Sequence, residues 1–200
     1  MWQLQFPQKH GWVVDMKFTE LFTESSGVYL YNARSRKTNP FDNMEKYIDK
    51  SKMVYGPGIY FGDNLEDIKR YGETIFITKN KISKKDFAET DSRIQQNKDL
   101  SKNLDSFLFL LYKENPKGMT TLLKRKGIEN PKTVSDVSDL GQSFMYSDVL
   151  SVWNILLDAV GGVSFWRAYD KSFSTLGLYN KLFGYYAVLK PIPVEILKES

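Results

Sequence analysis

Residues 55–72 read YGPGIYFGDNLEDIKRYG, and this stretch decides how we interpret the fold. Glycine and proline at its start predict a turn, and the apolar residues 59–61 that follow predict a short strand. Asp63-Asn64 is typical of a helix N-cap, and the acidic residues after it and the basic residues before Gly72 complement a helix dipole. The stretch therefore predicts a turn, a strand and a helix over 65–71 that ends at Gly72.

The segments around this stretch predict an α+β fold. Strand patterns occur at 26–33, 74–78 and 185–197, and a short helix is expected between Asn39-Pro40 and about Lys52. Apolar residues recur at helical spacing over 91–158, and we interpret Trp153, Phe165, Trp166 and Phe173 as core residues. We expect a single domain over 1–200, with a helical insertion at about 91–160.

The composition excludes several classes of chemistry. The 200 residues contain no cysteine and one histidine, so disulfides, thiolate nucleophiles and cysteine-ligated zinc are excluded, and a histidine metal site or a Ser-His-Asp triad is disfavoured. A net charge of +4 is mild for a nucleic-acid-binding protein. No membrane-spanning run and no signal-peptide pattern occur, so we expect a cytoplasmic protein, in the host cytoplasm if a phage encodes it.

The opening stretch resembles the second motif of the ADP-ribosyltransferase family, which includes the poly(ADP-ribose) polymerases and the diphtheria-toxin-like enzymes. The resemblance is carried by Gly58-Ile59-Tyr60-Phe61, an Asp/Asn turn, a short helix and Tyr71-Gly72. Upstream, GVYLYNARS (27–35) resembles the first motif, with Asn32 at the position of the family's histidine and Ala33 at that of its glycine. Downstream, FGYYAVL (183–189) resembles the third motif, with Tyr185 at the position of the catalytic glutamate.

The resemblance implies a split β-sheet core and NAD as substrate, with no metal. It implies that Asn32, Tyr60 and Tyr185 are the catalytic residues, and that Tyr60 and Tyr71 stack on the nicotinamide ring while Asn32 orients the ribose. The residues that it assigns to NAD binding are Tyr31, Asn32, Ala33, Arg34, Gly58, Tyr60 and Tyr71. Arg34 and Arg36 suit a pyrophosphate, since a guanidinium matches phosphate geometry, although an exposed basic loop explains them equally well.

Asn32 and Tyr185 differ from the histidine and the glutamate of the family, and these two differences leave alternatives open. A tyrosine is neutral at pH 7, so Tyr185 cannot supply the negative charge that the family's glutamate places beside the oxocarbenium-like ribose. Some mono-ADP-ribosyltransferases that lack this glutamate are thought to use a carboxylate of the substrate. Other candidate groups in this chain, each more simply explained by a surface or capping role, are Asp148, Asp170, Glu195 and Gln142. His10 is an alternative first-motif histidine, but a loop histidine is the simpler interpretation.

The resemblance therefore predicts a mono-ADP-ribosyltransferase-like protein that moves ADP-ribose from NAD to a protein or nucleic-acid acceptor. A second hypothesis is a catalytically inactive domain of this fold that acts as a binding or inhibitory protein, of phage or bacterial origin. A third is an RNA 2′-phosphotransferase, which ranks last because the expected histidine and arginine cluster is missing.

Overall fold

The computed structural model describes residues 27–42, 44–48 and 57–197. His10 and the turn residues Tyr55 and Gly56 lie outside these ranges, so the interpretation of His10 stays a prediction. Within the described ranges the chain forms one mixed β-sheet and a set of packed helices, which confirms the α+β class. None of the described helices is both long enough and apolar enough to cross a membrane.

Seven strands in the described residues form one open sheet. They are β1 Tyr31–Arg34, β2 Ile59–Gly62, β3 Thr74–Thr78, β4 Phe87–Glu89, β5 Gly177–Asn180, β6 Tyr185–Val188 and β7 Val194–Ile196. Their order across the sheet is β4-β5-β6-β2-β1-β3-β7. β4 and β5 run parallel, and all the other neighbouring strands run antiparallel.

The sheet has a weak seam between β1 and β2. These strands are paired at one position, where Tyr31 lies opposite Gly62, whereas β1 with β3 and β2 with β6 are each paired at four positions. The sheet therefore consists of two well-paired blocks, β4-β5-β6-β2 and β1-β3-β7, that meet at this seam.

Some strands differ from the sequence prediction. β4 and β5 were not predicted, because β4 has three residues, and β5 begins with Gly177 and ends with Asn180, two residue types that are depleted in strands. The expected closing strand over 185–197 is instead the two strands β6 and β7, because Pro191 and Pro193 between them lack the N–H group that a strand ladder needs. β1 begins at Tyr31, later than expected, after an isolated bridge between Val28 and Ile82.

The helices are α1 Met44–Ile48, α2 Leu65–Lys69, α3 Lys98–Glu114, α4 Pro116–Lys124, α5 Ser138–Phe144, α6 Val149–Val160 and α7 Gly162–Ser172. Helices α3 to α7 form the helical segment between β4 and β5, which extends to Ser172, beyond the expected end at about 160. The Gly161-Gly162 pair is a tight junction between α6 and α7, because Gly161 adopts a φ of 80° that favours glycine.

An aromatic cluster forms the core of the helical segment. Phe107, Trp153, Phe165, Tyr169 and Phe173 are buried, and their contacting rings lie with centroids 4.8–6.4 Å apart. These distances are typical of packed aromatic pairs, and they confirm the interpretation of Trp153, Phe165 and Phe173 as core, while Trp166 is partly buried against it.

A hydrogen bond joins this helical core to the sheet. The indole N–H of Trp166, in α7, donates to the Leu189 carbonyl at 2.9 Å, directly after β6. The helical segment is therefore hydrogen-bonded to the C-terminal end of β6, the strand that begins with Tyr185.

Candidate functional site

The predicted catalytic residues Tyr185, Tyr60 and Asn32 lie on three adjacent strands, β6, β2 and β1. Gly62 of β2 is opposite Tyr185 on one side and opposite Tyr31 on the other. Side chains alternate along a strand, so Tyr60 shares a face of the sheet with Gly62 and Tyr185. Asn32 follows Tyr31 and therefore lies on the opposite face of β1, at the seam.

Asn32 bridges the seam with its side chain. Its Nδ2 donates to the backbone carbonyl of Tyr60 at 2.7 Å, beyond the single position at which the backbones of β1 and β2 are paired. Asn32 is 8% exposed, and its Oδ1 is buried without a hydrogen-bond partner among the described residues. A buried polar group without a partner costs about 1–3 kcal/mol, so this oxygen is an acceptor that a ligand donor or a water would stabilise.

Tyr185 belongs to a second group, with Tyr71 and Arg70. The hydroxyl oxygens of Tyr71 and Tyr185 are 3.3 Å apart, and a guanidinium nitrogen of Arg70 donates to the Tyr185 hydroxyl at 3.4 Å. The Arg70 guanidinium also lies 5.0 Å from the centroid of the Tyr71 ring, within cation–π distance. We call these three residues the Arg70 cluster.

Hydrogen bonding within the Arg70 cluster shifts the pKa values of its three residues. The bond with Tyr185 lowers the pKa of Tyr71, and the same bond raises the pKa of Tyr185. The pKa of Arg70 is raised, first by its bond to Tyr185 and then by Tyr71. Tyr185 is therefore a neutral phenol at pH 7, beside a guanidinium that stays protonated.

A cavity of about 470 Å³ opens between the end of β1 and Tyr71. The residues that line it are Ala33, Arg34, Ser35, Arg36, Thr38 and Tyr71. Gly72 packs directly against the backbone of Arg34, where a Cβ atom would overlap it. This close approach brings the neighbouring Tyr71 to the cavity. The described lining contains two arginines and no carboxylate, so the cavity favours an anionic ligand.

Gly72 also explains a difference from the sequence prediction. The expected helix over 65–71 is α2, which ends at Lys69, two residues before Tyr71. Its expected N-cap is confirmed at Asn64, whose side chain accepts from the N–H of Glu66 at 3.1 Å. Gly72 therefore serves the close approach to β1 rather than the end of the helix.

Gly58 and Tyr31 lie apart from the cavity lining. Gly58 has a φ of 133°, and a Cβ atom there would lie 2.7 Å from the Val188 carbonyl oxygen. It is therefore at the end of the β2–β6 pair remote from Tyr185. Tyr31 is half-buried and sits at the seam, opposite Gly62 and Ile77.

The other candidate acidic or polar groups have structural or peripheral positions. Asp148 caps α6, since its Oδ1 accepts from the N–H of Ser151 at 2.8 Å. Asp170 forms an ion pair with Lys190 at 3.7 Å. Glu195 lies on β7, and β2, β1 and β3 separate that strand from β6. Gln142 is exposed in α5.

Arg70 was missed as a site residue by the sequence prediction. It was interpreted only as a basic residue that complements the dipole of the helix before Tyr71, which is a common surface role. The sequence feature that could have indicated Arg70 is its position directly before Tyr71. The contact of both residues with Tyr185 of β6 is visible only in the folded structure.

The arginine-lined cavity and the Arg70 cluster meet at Tyr71, whereas the buried oxygen of Asn32 lies on the opposite face of β1. Such an arrangement can bind a ligand that carries phosphates and an aromatic ring, through Arg34, Arg36 and Tyr71. Within the Arg70 cluster the ionised group at pH 7 is a cation, so a developing positive charge there needs an anion from elsewhere. No family model matches the chain, and neither a curated protein nor a solved structure matches it.

Proposed function

We propose that this protein binds NAD and transfers a single ADP-ribose to a protein or nucleic-acid acceptor, as a mono-ADP-ribosyltransferase-like protein with a split β-sheet. The observation that carries the proposal is the strand order β6-β2-β1, which sets Tyr185, Tyr60 and Asn32 on adjacent strands. The resemblance of the three motifs requires this adjacency, although the motifs are far apart in the sequence. The seam between β1 and β2 supports the split sheet.

The cavity beside β1 fits the anionic part of NAD. Arg34 and Arg36 line it and offer guanidinium groups to the pyrophosphate, and Tyr71 offers an exposed ring to the nicotinamide. Asn32 lies on the opposite face of β1 and does not line this cavity, so its proposed role in orienting the ribose rests on the resemblance and not on this geometry.

A second candidate function is a catalytically inactive protein that binds NAD or a partner. The specific observation in its favour is the contact between Arg70 and Tyr185, which places a positive charge where the reaction develops one. A neutral phenol beside a guanidinium disfavours the oxocarbenium-like state, so catalysis then depends on an anion that the acceptor brings.

The test is calorimetric titration with NAD together with incubation with labelled NAD, for the wild type, Tyr71→Ala and the matched control Tyr146→Ala. Tyr71 and Tyr146 are 58% and 69% exposed, so neither substitution removes a buried ring. We expect Tyr71→Ala to weaken NAD binding by about tenfold, since stacking on an aromatic ring contributes about 1–3 kcal/mol. Tyr146→Ala should bind as the wild type does.

The outcomes separate the candidates. Binding with transfer of label supports the transferase, and binding without transfer to any acceptor supports the inactive binding protein. If the wild type does not bind NAD at millimolar concentration, both NAD-dependent functions are refuted.

A further inference from the structure

We propose that a second cavity, between the turn before β4, the start of α3 and the segment before β5, binds a small ligand that carries two or more linked phosphate groups. This cavity has a volume of about 450 Å³ and is lined by residues 85–86, 97–99, 102–103 and 174–175. We call it the lysine cavity. The inference goes beyond the proposed function, because the lysine cavity shares no lining residue with the cavity beside β1 or with the Arg70 cluster.

Three lysines, Lys85, Lys98 and Lys102, line the lysine cavity from two separate elements. Lys98 and Lys102 are four residues apart in α3, so their side chains lie on the same face of that helix. Both are exposed, and neither forms an ion pair within the described residues. The nearby Lys84, by contrast, lies 3.6 Å from a carboxylate oxygen of Asp63.

The positions of Lys98 and Lys102 are unfavourable for the helix itself. Lys98 is the first residue of α3, where a positive charge opposes the helix dipole. Two like charges at i and i+4 also repel each other. A sequence that breaks two local rules without a compensating contact is typical of a functional position. An anion bound in the lysine cavity would compensate both unfavourable interactions.

The two carboxylates of the lining accept hydrogen bonds from the backbone. Asp99 accepts from the N–H groups of Ser174 and Thr175 at 2.7 and 2.8 Å. Asp86 accepts from a backbone N–H in its own turn at 3.3 Å. In the described part of the chain neither carboxylate pairs with a lysine of α3. Three ammonium groups against two carboxylates leave the lining with a net positive charge, so it favours an anion.

The chemistry of the lining selects phosphate groups. The described lining contains no aromatic side chain, so it offers no surface on which a base could stack, as a single-stranded nucleic acid requires. Its cationic donors are ammonium groups, which bind phosphate as point charges. Because these groups come from two elements, they can contact more than one phosphate. The volume is within the range of about 300–1,000 Å³ for small-molecule sites, so a short phosphate chain fits.

The test is calorimetric titration of the full chain, in buffer without divalent metal, with inorganic pyrophosphate, inorganic phosphate and a short oligothymidylate. We expect pyrophosphate to bind about tenfold more tightly than phosphate, because the second phosphate adds charge-assisted hydrogen bonds. In NMR spectra, pyrophosphate should shift the backbone amide signals of Lys98 and Ser174.

Variants locate the binding. The double variant Lys98→Ala/Lys102→Ala should weaken pyrophosphate binding by about tenfold or more. The matched control Lys124→Ala/Lys126→Ala removes the same charge from exposed lysines at the end of α4, and it should bind as the wild type does. Arg36→Ala, in the cavity beside β1, should also leave pyrophosphate binding unchanged.

The substitution Lys98→Glu separates binding from stability. It places a favourable charge at the start of α3, so the Tm without anion should be no lower than that of the wild type. Pyrophosphate should raise the Tm of the wild type, because a ligand that binds the folded state stabilises it. This rise should be lost in Lys98→Glu.

The inference is overturned if pyrophosphate does not bind at millimolar concentration, or if its binding survives in Lys98→Ala/Lys102→Ala. Loss of binding in Arg36→Ala instead overturns it in favour of the cavity beside β1. Tighter binding of the oligothymidylate, lost in the double lysine variant, overturns it in favour of a nucleic-acid backbone. Pyrophosphate binding by a protein that does not bind NAD refutes the proposed function and keeps the lysine cavity, and NAD binding without pyrophosphate binding does the reverse.

Discussion

Asn32→Ala is the substitution that tests the seam of the sheet most directly. It removes the 2.7 Å hydrogen bond from Nδ2 to the Tyr60 carbonyl, at a place where β1 and β2 share one paired position. Loss of a hydrogen bond to a buried partner costs about 1–3 kcal/mol. The substitution also removes the buried Oδ1 that has no described partner, which offsets part of this cost. We therefore expect the free energy of unfolding to fall by about 1–2 kcal/mol.

The measurement is urea unfolding followed by circular dichroism, with a thermal scan in parallel. For a chain of this length each kcal/mol corresponds to about 2–4 °C in Tm. The slope of the urea transition should not change, because the fold of the remaining sheet is kept.

Asn154→Ala is the matched control. Asn154 lies in α6, and its side-chain oxygen is also buried without a described partner, but its side chain forms no described hydrogen bond. Alanine is the better helix former by about 0.6 kcal/mol, so this variant should be as stable as the wild type or slightly more stable. If Asn32→Ala proves as stable as Asn154→Ala, the bond across the seam carries no stability and our account of the seam is refuted.

Three further substitutions test the contacts of helix α3 and the close approach of Gly72 to β1. Asp99→Asn should lower stability by about 1 kcal/mol at pH 7, after allowance for its partial exposure, because the carboxylate accepts from two backbone N–H groups between α7 and β5 at 2.7 and 2.8 Å. Burial by itself raises the pKa of Asp99, but these hydrogen bonds outweigh burial, so the pKa is lowered. The stability that the ionised Asp99 contributes should therefore disappear as the pH falls from about 4 through the folded-state pKa, measured by urea unfolding at acid pH. Asp105→Asn should act in the opposite direction, since burial raises the pKa of Asp105 and its ionisation destabilises the fold. The gain over the wild type should be present at pH 7, shrink as the pH falls through the folded-state pKa, and vanish below the unfolded-state pKa of about 4. Gly72→Ala should cost about 1–3 kcal/mol and weaken NAD binding, because its Cβ would displace the backbone of Arg34, and a stable variant with unchanged affinity would contradict this packing.

The fold class followed from the sequence because its strongest patterns are local. The strand after Gly58, the cap at Asn64 and the helical periodicity from α3 onward each depend on residues close together in the chain, and each is present. The short strand β4 depends instead on a distant partner, since Phe87 pairs with Gly177 of β5, 90 positions later in the sequence, while β5 also pairs with the nearby β6. Such pairing leaves no pattern in three or four residues, so it could not be predicted.

The candidate site was predictable to a smaller extent. Motif spacing selected Tyr71, Ala33 and Arg34, and the structure places all three around one cavity. The role of Arg70 could not be predicted, because its contact with Tyr185 joins residues 115 positions apart. The close approach of Gly72 to β1 could not be predicted either, because a glycine after a helix is more simply interpreted as the end of that helix.

Asn32 joins the two sides of the seam through one amide. Its N–H group donates to the Tyr60 carbonyl, and its buried oxygen has no described partner, so the seam uses the donor of this side chain and not its acceptor. A neutral histidine also has one donor nitrogen and one acceptor nitrogen, whereas an ionised aspartate only accepts. Asparagine and histidine can therefore both donate to the Tyr60 carbonyl, but the imidazole changes charge between about pH 5 and 8 and the amide does not. The hydrogen bond across the seam should then be independent of pH in that range, and any pH dependence of stability between about pH 5 and 8 must arise from another group.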